Sequence, residues 1–216
     1  MPALSTLVSE ARDTTHDLEV PYRVSDAKMT EYANAFVREL ALLRPDLFST
    51  VGDITCTAGT CLQVAPSGAI VHMDVFQVKA GRVVTEANRG QFDRFNSNWW
   101  NDAAGAAENW MRHEKDPLRF FIYPKAPANQ ILVGQWAELP TEMADVNAQI
   151  PSQVLKVYYP AMHHYMVFRI EAKDDEYAVS GRAKLFYDGF AALVGAGKAT
   201  KKEAEKPEAA SVQVAG

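Results

Sequence analysis

The chain has 216 residues, of which 48% are hydrophobic, 10% aromatic and 23% charged, and its 22 basic and 27 acidic side chains give a formal net charge of −5. This composition indicates a folded globular protein, and it excludes a disordered chain and a generally basic nucleic-acid surface, although not passive contact with DNA. No run approaches the roughly 20 apolar residues of a membrane helix. The N-terminal residues lack the regions of a signal peptide, so we expect a cytoplasm-like compartment.

Two amphipathic helices are predicted at the start of the chain. Leu4, Leu7, Val8 and Ala11 fall on one helical face within residues 4–18. Ser25 is the predicted N-cap of the second helix. Its apolar positions recur every three or four residues as Met29, Tyr32, Ala33, Phe36, Val37, Leu40 and Leu43. Pro45 ends it, because the residue before a proline is pushed out of the helical region.

From about residue 50 the apolar period becomes that of β-strands. The predicted strands, separated by turn dipeptides such as Ala58-Gly59, are VGDITC, CLQVA, AIVHMDVFQVK, RVVTE, LRFFIY and QILVGQW. They predict an antiparallel, sandwich-like β unit. Residues 88–110 show no strand period, so we interpret them as a long excursion with one short helix.

The two cysteines, Cys56 and Cys61, flank this Ala58-Gly59 turn. If the turn closes a two-residue hairpin, Thr57 faces Thr60 and the cysteines face each other across the ladder. One interpretation is a cross-strand disulfide or half of a metal site. The other is a pair of small, reduced strand residues, which we favour because cytoplasmic disulfides are rare and further ligands are missing.

Helical patterns return after the β unit. Pro160 suits a first helical turn, and Asp174 is the predicted cap of a last helix that runs to Leu193. Residues 197–216 contain few large apolar side chains and are predicted to form a flexible tail. The tail has four Lys and three Glu, a charge of +1, which leaves −6 on the rest of the chain.

The predicted fold class is therefore α+β. Residues 1–48 and 150–196 form a helical bundle of about four helices. Residues 49–149 form the inserted antiparallel β-sandwich-like domain, and residues 197–216 form the flexible C-terminal tail.

No set of side chains predicts a catalytic, metal or cofactor site. The histidines are His16, His72, His113, His163 and His164, and the adjacent pair lies about 100° apart on a helix, which prevents chelation. The acidic run Asp174-Asp175-Glu176 is explained by helix capping. Sequence motifs for nucleophiles, phosphates and zinc are missing. We expect a protein that is not an enzyme and has no cofactor.

Aromatic residues are concentrated in one third of the chain. In the strand 118–123, Leu118, Phe120 and Ile122 share one face and Arg119, Phe121 and Tyr123 the other. Both faces need cover, so the strand is either central in a sandwich or covers a partner. The adjacent Trp99 and Trp100 fit partner contact and internal packing equally. The candidate protein-interface residues are Trp99, Trp100, Trp110, Phe121, Tyr123 and Trp136.

Four segments together resemble a known family. They are SDAKMTEYANAFVRELALLRPDLF, ITCTAGTCLQVAPSGA, DPLRFFIYPKAP and KDDEYAVSGRAKLFYDGFAALVG, in this order. In order and spacing they resemble the head-to-tail adaptor, or connector, of short-tailed bacteriophages, a family also grouped with tail-tube proteins. The cysteines at both hairpin positions and the NSNWWNDAAGAAENW excursion depart from the family pattern.

The resemblance implies a structural protein of the virion, made in the host cytoplasm and placed at the head-tail junction. Such adaptors form a ring, typically a dodecamer, between the capsid portal protein and a downstream tail or nozzle protein. The ring continues the DNA channel, so contact with genomic DNA during ejection is passive. The tail commonly reaches the portal, which makes candidates of Lys198, Lys201, Lys202, Lys206, Val212 and Val214.

Two other functions stay open at this point. A monomeric or dimeric protein-binding module of phage or host would share the same helix and strand order, and self-association distinguishes it from an adaptor. A hydrolytic tail enzyme would need a pocket with perturbed acids. If the aromatic strand is an interface, replacing Phe121 and Tyr123 with Ser is expected to weaken ring assembly while the monomer stays folded.

Overall fold

The computed structural model describes residues 3–79, 81–173 and 181–204. The chain forms two compact units, one made of residues 1–40 and 142–216 and the other of residues 41–141. We call them the helical unit and the β unit and describe each by itself. The predicted boundaries after residues 48 and 149 stay a prediction. The α+β class is confirmed by six helices and two sheets within the described residues.

The helices are α1 (Leu4–Thr15), α2 (Asp26–Leu43), α3 (Arg89–Phe95), α4 (Ser152–Val157), α5 (Tyr159–Glu171) and α6 (Arg182–Ala204). The strands are β1 (Ser49–Thr55), β2 (Leu62–Val64), β3 (Ala69–Val78), β4 (Thr85–Glu86), β5 (Asn109–Arg112), β6 (Arg119–Tyr123) and β7 (Ile131–Glu138). None of the described helices is long and apolar enough to cross a membrane.

An aromatic core joins three helices of the helical unit. The ring of Phe36 on α2 lies 5.7 Å from Tyr165 on α5 and 5.9 Å from Phe190 on α6, in edge-on arrangements. Such arrangements of buried aromatic rings add to the energy of apolar burial. The predicted apolar face of α1, from Leu4 to Ala11, is buried. These contacts follow from the helical period that is visible in the sequence.

The predicted cap of α2 is confirmed. The Ser25 carbonyl accepts from the Met29 amide at 3.0 Å, and its hydroxyl accepts from the Lys28 amide at 3.4 Å. The helix ends before Pro45, as predicted. Pro160 also lies in the first turn of its helix, α5. The cap predicted at Asp174 lies outside the described residues.

Two predictions for the helical unit need correction. The short helix α4 precedes α5 and was not predicted, because its six residues are too few for a clear period. Helix α6 continues to Ala204, so residues 197–204 are helical where a flexible tail was predicted. Their Ala, Lys and Glu residues favour a helix although they provide little apolar surface. Residues 205–216 lie outside the described part of the chain.

The β unit consists of two sheets. In the first, β7 lies between β1 and β3, and in the second the order is β2-β6-β5-β4. All pairs are antiparallel except β4 with β5, which is parallel and departs from the predicted antiparallel unit. The strand β5 was missed, because Asn109–Arg112 lies at the end of the excursion that showed no period.

The two sheets share one hydrophobic cluster, which we call the inner cluster. It contains Ile54, Val75 and Leu132 from the first sheet and Trp110, Phe120 and Ile122 from the second, together with Cys56, Val84, Ala107, Ala126 and Trp136. A second set, the outer cluster, contains Cys61, Trp99, Met111 and Phe121, with Leu62, Ala87, Phe92 and Tyr123 packed against it. Strand β6 therefore has apolar cover on both faces, one of the two alternatives that the sequence left open.

The hairpin predicted around Ala58-Gly59 is wrong. Strand β1 pairs with β7 and strand β2 with β6, so the chain changes sheets at this turn. Consequently Cys56 lies in the inner cluster and Cys61 in the outer cluster, and both thiols are free and buried. The Gln63 side chain holds the turn by accepting from the Thr57 amide and donating to the Thr57 and Thr60 carbonyls.

Candidate functional site

The aromatic layer on the outer face of β6 is the first candidate surface. The Trp99 ring stacks on Trp100 with centroids 4.4 Å apart, and both meet the edge of Phe121, at 6.1 and 5.2 Å. Trp99 is fully buried, whereas Trp100 keeps 39% of its surface exposed. The excursion therefore folds back over the sheet, with Trp100 as the outermost ring of the stack.

Side-chain hydrogen bonds hold this cover in place. Asn88 caps α3 by accepting from the Gln91 amide at 3.1 Å. The Trp99 indole Nε1 donates to Asp93 at 2.7 Å. Asp102 accepts from the Tyr123 hydroxyl at 2.8 Å and from the Asn96 amide at 2.9 Å.

The hydrogen bond between Tyr123 and Asp102 shifts the pKa of both partners. Hydrogen bonds from Asn96 and Tyr123 stabilise the carboxylate and lower the pKa of Asp102. The same bond to Asp102 raises the pKa of Tyr123. At neutral pH the pair is thus a carboxylate and a phenol, which suits a fixed structural contact.

The inner cluster contains a buried histidine between aromatic rings. His72 stacks on Phe120 with centroids 4.0 Å apart and meets Trp110 edge-on at 5.2 Å. Burial, with a smaller effect of Arg112, lowers the pKa of His72 to about 4. The His72 Nε2 and the Trp110 indole Nε1 are buried without a hydrogen-bond partner in the described structure. The neutral imidazole is a core side chain here.

Four of the six predicted interface residues are internal. Trp99 and Phe121 are buried in the outer cluster, and Trp110 and Trp136 in the inner cluster. Their side chains fill the β unit, so they are unavailable as exposed contact groups. Trp100 stays exposed and Tyr123 is half-buried. Replacing Phe121 and Tyr123 together would therefore remove a buried core side chain. The double variant is thus expected to destabilise the monomer, and the expectation that the monomer stays folded is corrected.

The structure describes only some of the predicted portal-contacting residues. Lys198, Lys201 and Lys202 lie on α6, whose backbone is described but whose side chains are not described at these positions. Lys206, Val212 and Val214 lie outside the described residues.

The histidine pair lies beside a pocket of about 480 Å³ that α1 and α5 line. His163 Nε2 is 3.2 Å from the Thr14 hydroxyl, and the Tyr159 hydroxyl donates to Glu10 at 2.9 Å. Burial, and then the hydrogen bond to Glu10, raises the pKa of Tyr159 to about 12. Burial also lowers the pKa of His164, whose Nδ1 is enclosed without a partner. Within the described residues, no group of three or more His, Cys, Asp or Glu could hold a metal ion.

An exposed apolar face on α6 was missed by the sequence reasoning. Phe190 and Val194 are buried, but Leu185 and Leu193 keep 68% and 40% of their surfaces exposed, and Tyr187 keeps 43% exposed on the side of Phe190, whose ring lies 5.9 Å away. Apolar residues on more than one face of a helix indicate a second buried contact, so the signal was present in the sequence. In the helical unit this long helix packs mainly along α5.

The described sites thus provide packing surfaces, buried aromatic clusters and one exposed apolar helix face. A search of curated protein sequences finds no match. The model of the family described as SU10 adaptor protein matches residues 2–213, nearly the whole chain, which confirms the resemblance to phage head-to-tail adaptors. The chain belongs to the SU10 adaptor protein family.

Proposed function

We propose that this phage structural protein assembles into a ring, typically a dodecamer in such adaptors, that joins the capsid portal to the tail and continues the DNA channel. The observation that carries the proposal is the exposed apolar face of α6, with Leu185 and Leu193 eight residues apart on one side of the helix. At 100° per residue, eight residues place Leu193 about 80° from Leu185 around the helix axis, so the two side chains lie within one broad stripe of the helix surface.

A helix with this pattern fits a subunit contact. Exposed apolar side chains that occur singly need no explanation, but a row of them on one element marks an interaction surface. Asp188, between Leu185 and Ala192, interrupts the face with a charge. The face thus combines apolar area with a polar group, as interfaces between separately folded subunits do.

The charge of the protein fits passive contact with DNA. The net charge is −5, and a channel lined with carboxylates repels phosphates, so DNA slides without being gripped. Lys198, Lys201, Lys202 and Lys206 are then the candidate residues for protein contacts at the portal. The protein works as a non-enzymatic part of the virion that is assembled in the host cytoplasm.

The native mass of the purified chain, together with electron microscopy of the same sample, tests the ring. A closed ring with a hole wide enough for duplex DNA supports the proposal. The double variant Leu185→Ser with Leu193→Ser should shift the native mass toward the monomer, because it removes the apolar area that the contact buries.

The matched control is Leu18→Ser with Val20→Ser, which changes two other exposed apolar residues of the same unit. It should leave the native mass unchanged. A monomer at every concentration, also in the presence of portal protein, would contradict the ring and favour the non-enzymatic binding module of phage or host.

A further inference from the structure

Helix α3 of the β unit ends in a phenylalanine that is almost fully exposed. Phe95 keeps 91% of its surface exposed, the largest fraction of any large hydrophobic side chain in the described residues. Trp100, which is 39% exposed, follows it after the turn that the Trp99 amide closes on the Asn96 carbonyl at 3.2 Å. We call Arg94, Phe95 and Trp100 the aromatic tip. Aromatic residues and arginine are enriched in protein interfaces relative to the rest of the surface.

The charge of the aromatic tip is available to a partner. Arg94 is exposed and has no ion pair or hydrogen bond within the described part of the chain. The adjacent Asp93 already has two partners, since it accepts from the Trp99 indole at 2.7 Å and lies 3.7 Å from Arg89. The aromatic tip thus combines an unpaired guanidinium with an exposed phenyl ring, two groups that carry much of the energy of protein contacts.

The helical unit contains a pocket of the opposite charge. This acidic pocket, of about 480 Å³ between α1 and α5, is lined by Glu10 and Asp13 and, among the described residues, by no lysine or arginine. Glu10 accepts from the Tyr159 hydroxyl, whereas the exposed Asp13 carboxylate has no side-chain partner in the described ranges. Tyr159 and Pro160 supply apolar lining. Sites that enclose small ligands have volumes of about 300–1,000 Å³, so a phenyl ring fits this pocket.

The acidic pocket borders the exposed face of α6. His164, which lines the pocket, lies 5.4 Å from the Phe186 ring, and a Cβ at Gly189 would lie 2.7 Å from its Nδ1. At 100° per residue, Gly189 lies about 40° around the helix from both Leu185 and Leu193. The acidic pocket and the exposed stripe of α6 are therefore neighbouring parts of one surface of the helical unit.

We propose that the aromatic tip of one copy of this chain enters the acidic pocket of a second copy, with Phe95 against the apolar lining and Arg94 beside the Asp13 carboxylate. The inference rests on the proposed ring and names the second surface of its subunit contact. Two different surfaces of one chain that fit each other form a head-to-tail contact, and such contacts generate closed rings when the rotation between copies allows it. The matching charges and apolar groups are both present in this chain, so the contact needs no other protein.

A charge exchange tests the pairing of Arg94 with Asp13. Arg94→Glu and Asp13→Arg each bring like charges together, so each should weaken association by about tenfold or more when the native mass is followed over a dilution series. The two substitutions together restore opposite charges and should return the dissociation constant to within about threefold of the unsubstituted value. Lys115→Glu, at another exposed cation of the β unit, should leave association unchanged. Losses that multiply in the double variant overturn the pairing.

The phenyl ring is tested in the same assay. Phe95→Ser should weaken association by about tenfold or more, because it removes the apolar group that the pocket encloses. Val83→Ser is the matched control, since Val83 is a 67% exposed apolar residue of the same unit. Both positions are exposed, so circular dichroism should show an unchanged fold. Equal effects of the two substitutions would contradict the enclosure of Phe95.

Mixing two defective chains tests the head-to-tail direction of the contact. One chain carries Arg94→Glu with Phe95→Ser and lacks the aromatic tip, and the other carries Glu10→Arg with Asp13→Arg and lacks the acidic pocket. Each should be monomeric alone, whereas the mixture should form a dimer and no ring, because one intact tip can enter one intact pocket. A mixture that stays monomeric overturns the inference.

The unsubstituted chain separates this contact from the ring itself. If the unsubstituted chain forms rings and the chain without the aromatic tip forms them equally well, the ring stands and the docking of the tip is wrong. If the unsubstituted chain is monomeric at every concentration, also with portal protein, both proposals are wrong.

Discussion

The two faces of strand β6 are covered in different ways. The inner face, with Phe120 and Ile122, packs against the first sheet, whose strands are held together by backbone ladders. The outer face, with Phe121, is covered by a short helix and a loop that are held by individual side-chain hydrogen bonds. Phe120 and Phe121 are therefore both buried, but the elements that cover them are held in place by different kinds of contact.

The polar atoms of the two clusters show the same difference. In the outer cluster the Trp99 indole and the Tyr123 hydroxyl each donate to a carboxylate. In the inner cluster the Trp110 indole Nε1 and the His72 Nε2 have no partner among the described residues. A buried polar atom without a partner costs about 1–3 kcal/mol. The apolar packing between the sheets must offset that cost.

The strongest test of this difference compares Phe120→Ala with Phe121→Ala. Phe120 is enclosed by two sheets that cannot close the resulting cavity, so we expect its replacement to lower the free energy of unfolding by about 3–5 kcal/mol. The loop above Phe121 can move inward, and the loss there should be smaller. Urea denaturation monitored by tryptophan fluorescence measures both values. Equal losses would contradict the unequal support of the two faces.

A second test uses the pH dependence of unfolding. The pKa of His72 is about 4 in the folded state and 6.5 in its ordinary range, so the unfolded chain binds more protons between these values. The stabilising contribution is therefore complete above pH 6.5 and is lost as the pH falls toward 4. This group alone should lower the free energy of unfolding by about 3 kcal/mol over that window.

The control for the pH test is His72→Phe, which keeps an aromatic ring against Phe120 and removes the titrating group. The difference between the two pH profiles isolates the histidine from the carboxylates, which titrate in both proteins. Parallel profiles would show that the ring at position 72 is reached by water.

The smallest expected effect is on the helix α3 and the loop that cover the outer face of β6. Asp93→Ala leaves the buried Trp99 indole without its acceptor, which should lower the free energy of unfolding by about 1–2 kcal/mol. Asp93→Asn keeps an oxygen that can accept from the indole and should behave nearly as the unsubstituted protein. If both variants lose the same amount, the charge at Asp93 stabilises the cover, through Arg89 at 3.7 Å, and the hydrogen bond does not.

Sequence periodicity predicted the helices and strands that bury a single face. Helices α1 and α2, the Ser25 cap and most of the strands follow from apolar spacing and turn residues. The pairing of the strands was harder to predict from the sequence. The Ala58-Gly59 dipeptide suits a turn both when the two flanking strands pair with each other and when the chain passes from one sheet to the other. Strand β5 was not predicted, because its four residues lie at the end of a segment that shows no strand period and whose tryptophans suggested surface contact.

The candidate site was predicted less well for a physical reason. Aromatic side chains form interfaces and cores alike, and only burial distinguishes Trp99 from its exposed neighbour Trp100. The apolar face of α6 carried a signal that the sequence shows, since Leu185 lies about 140° around the helix from Phe190. It was not interpreted as an interface because all of its apolar residues were assigned to one helix core.

If the exposed face of α6 is a subunit contact, as we propose, the stability of the protein depends on its concentration. A surface that is covered only in the assembly couples subunit association to folding, so dilution favours both dissociation and unfolding. The melting temperature of a ring-forming sample should then rise with protein concentration, as it does when any ligand binds only the folded state. On this proposal, a melting temperature for this chain must be given together with the concentration at which it was measured.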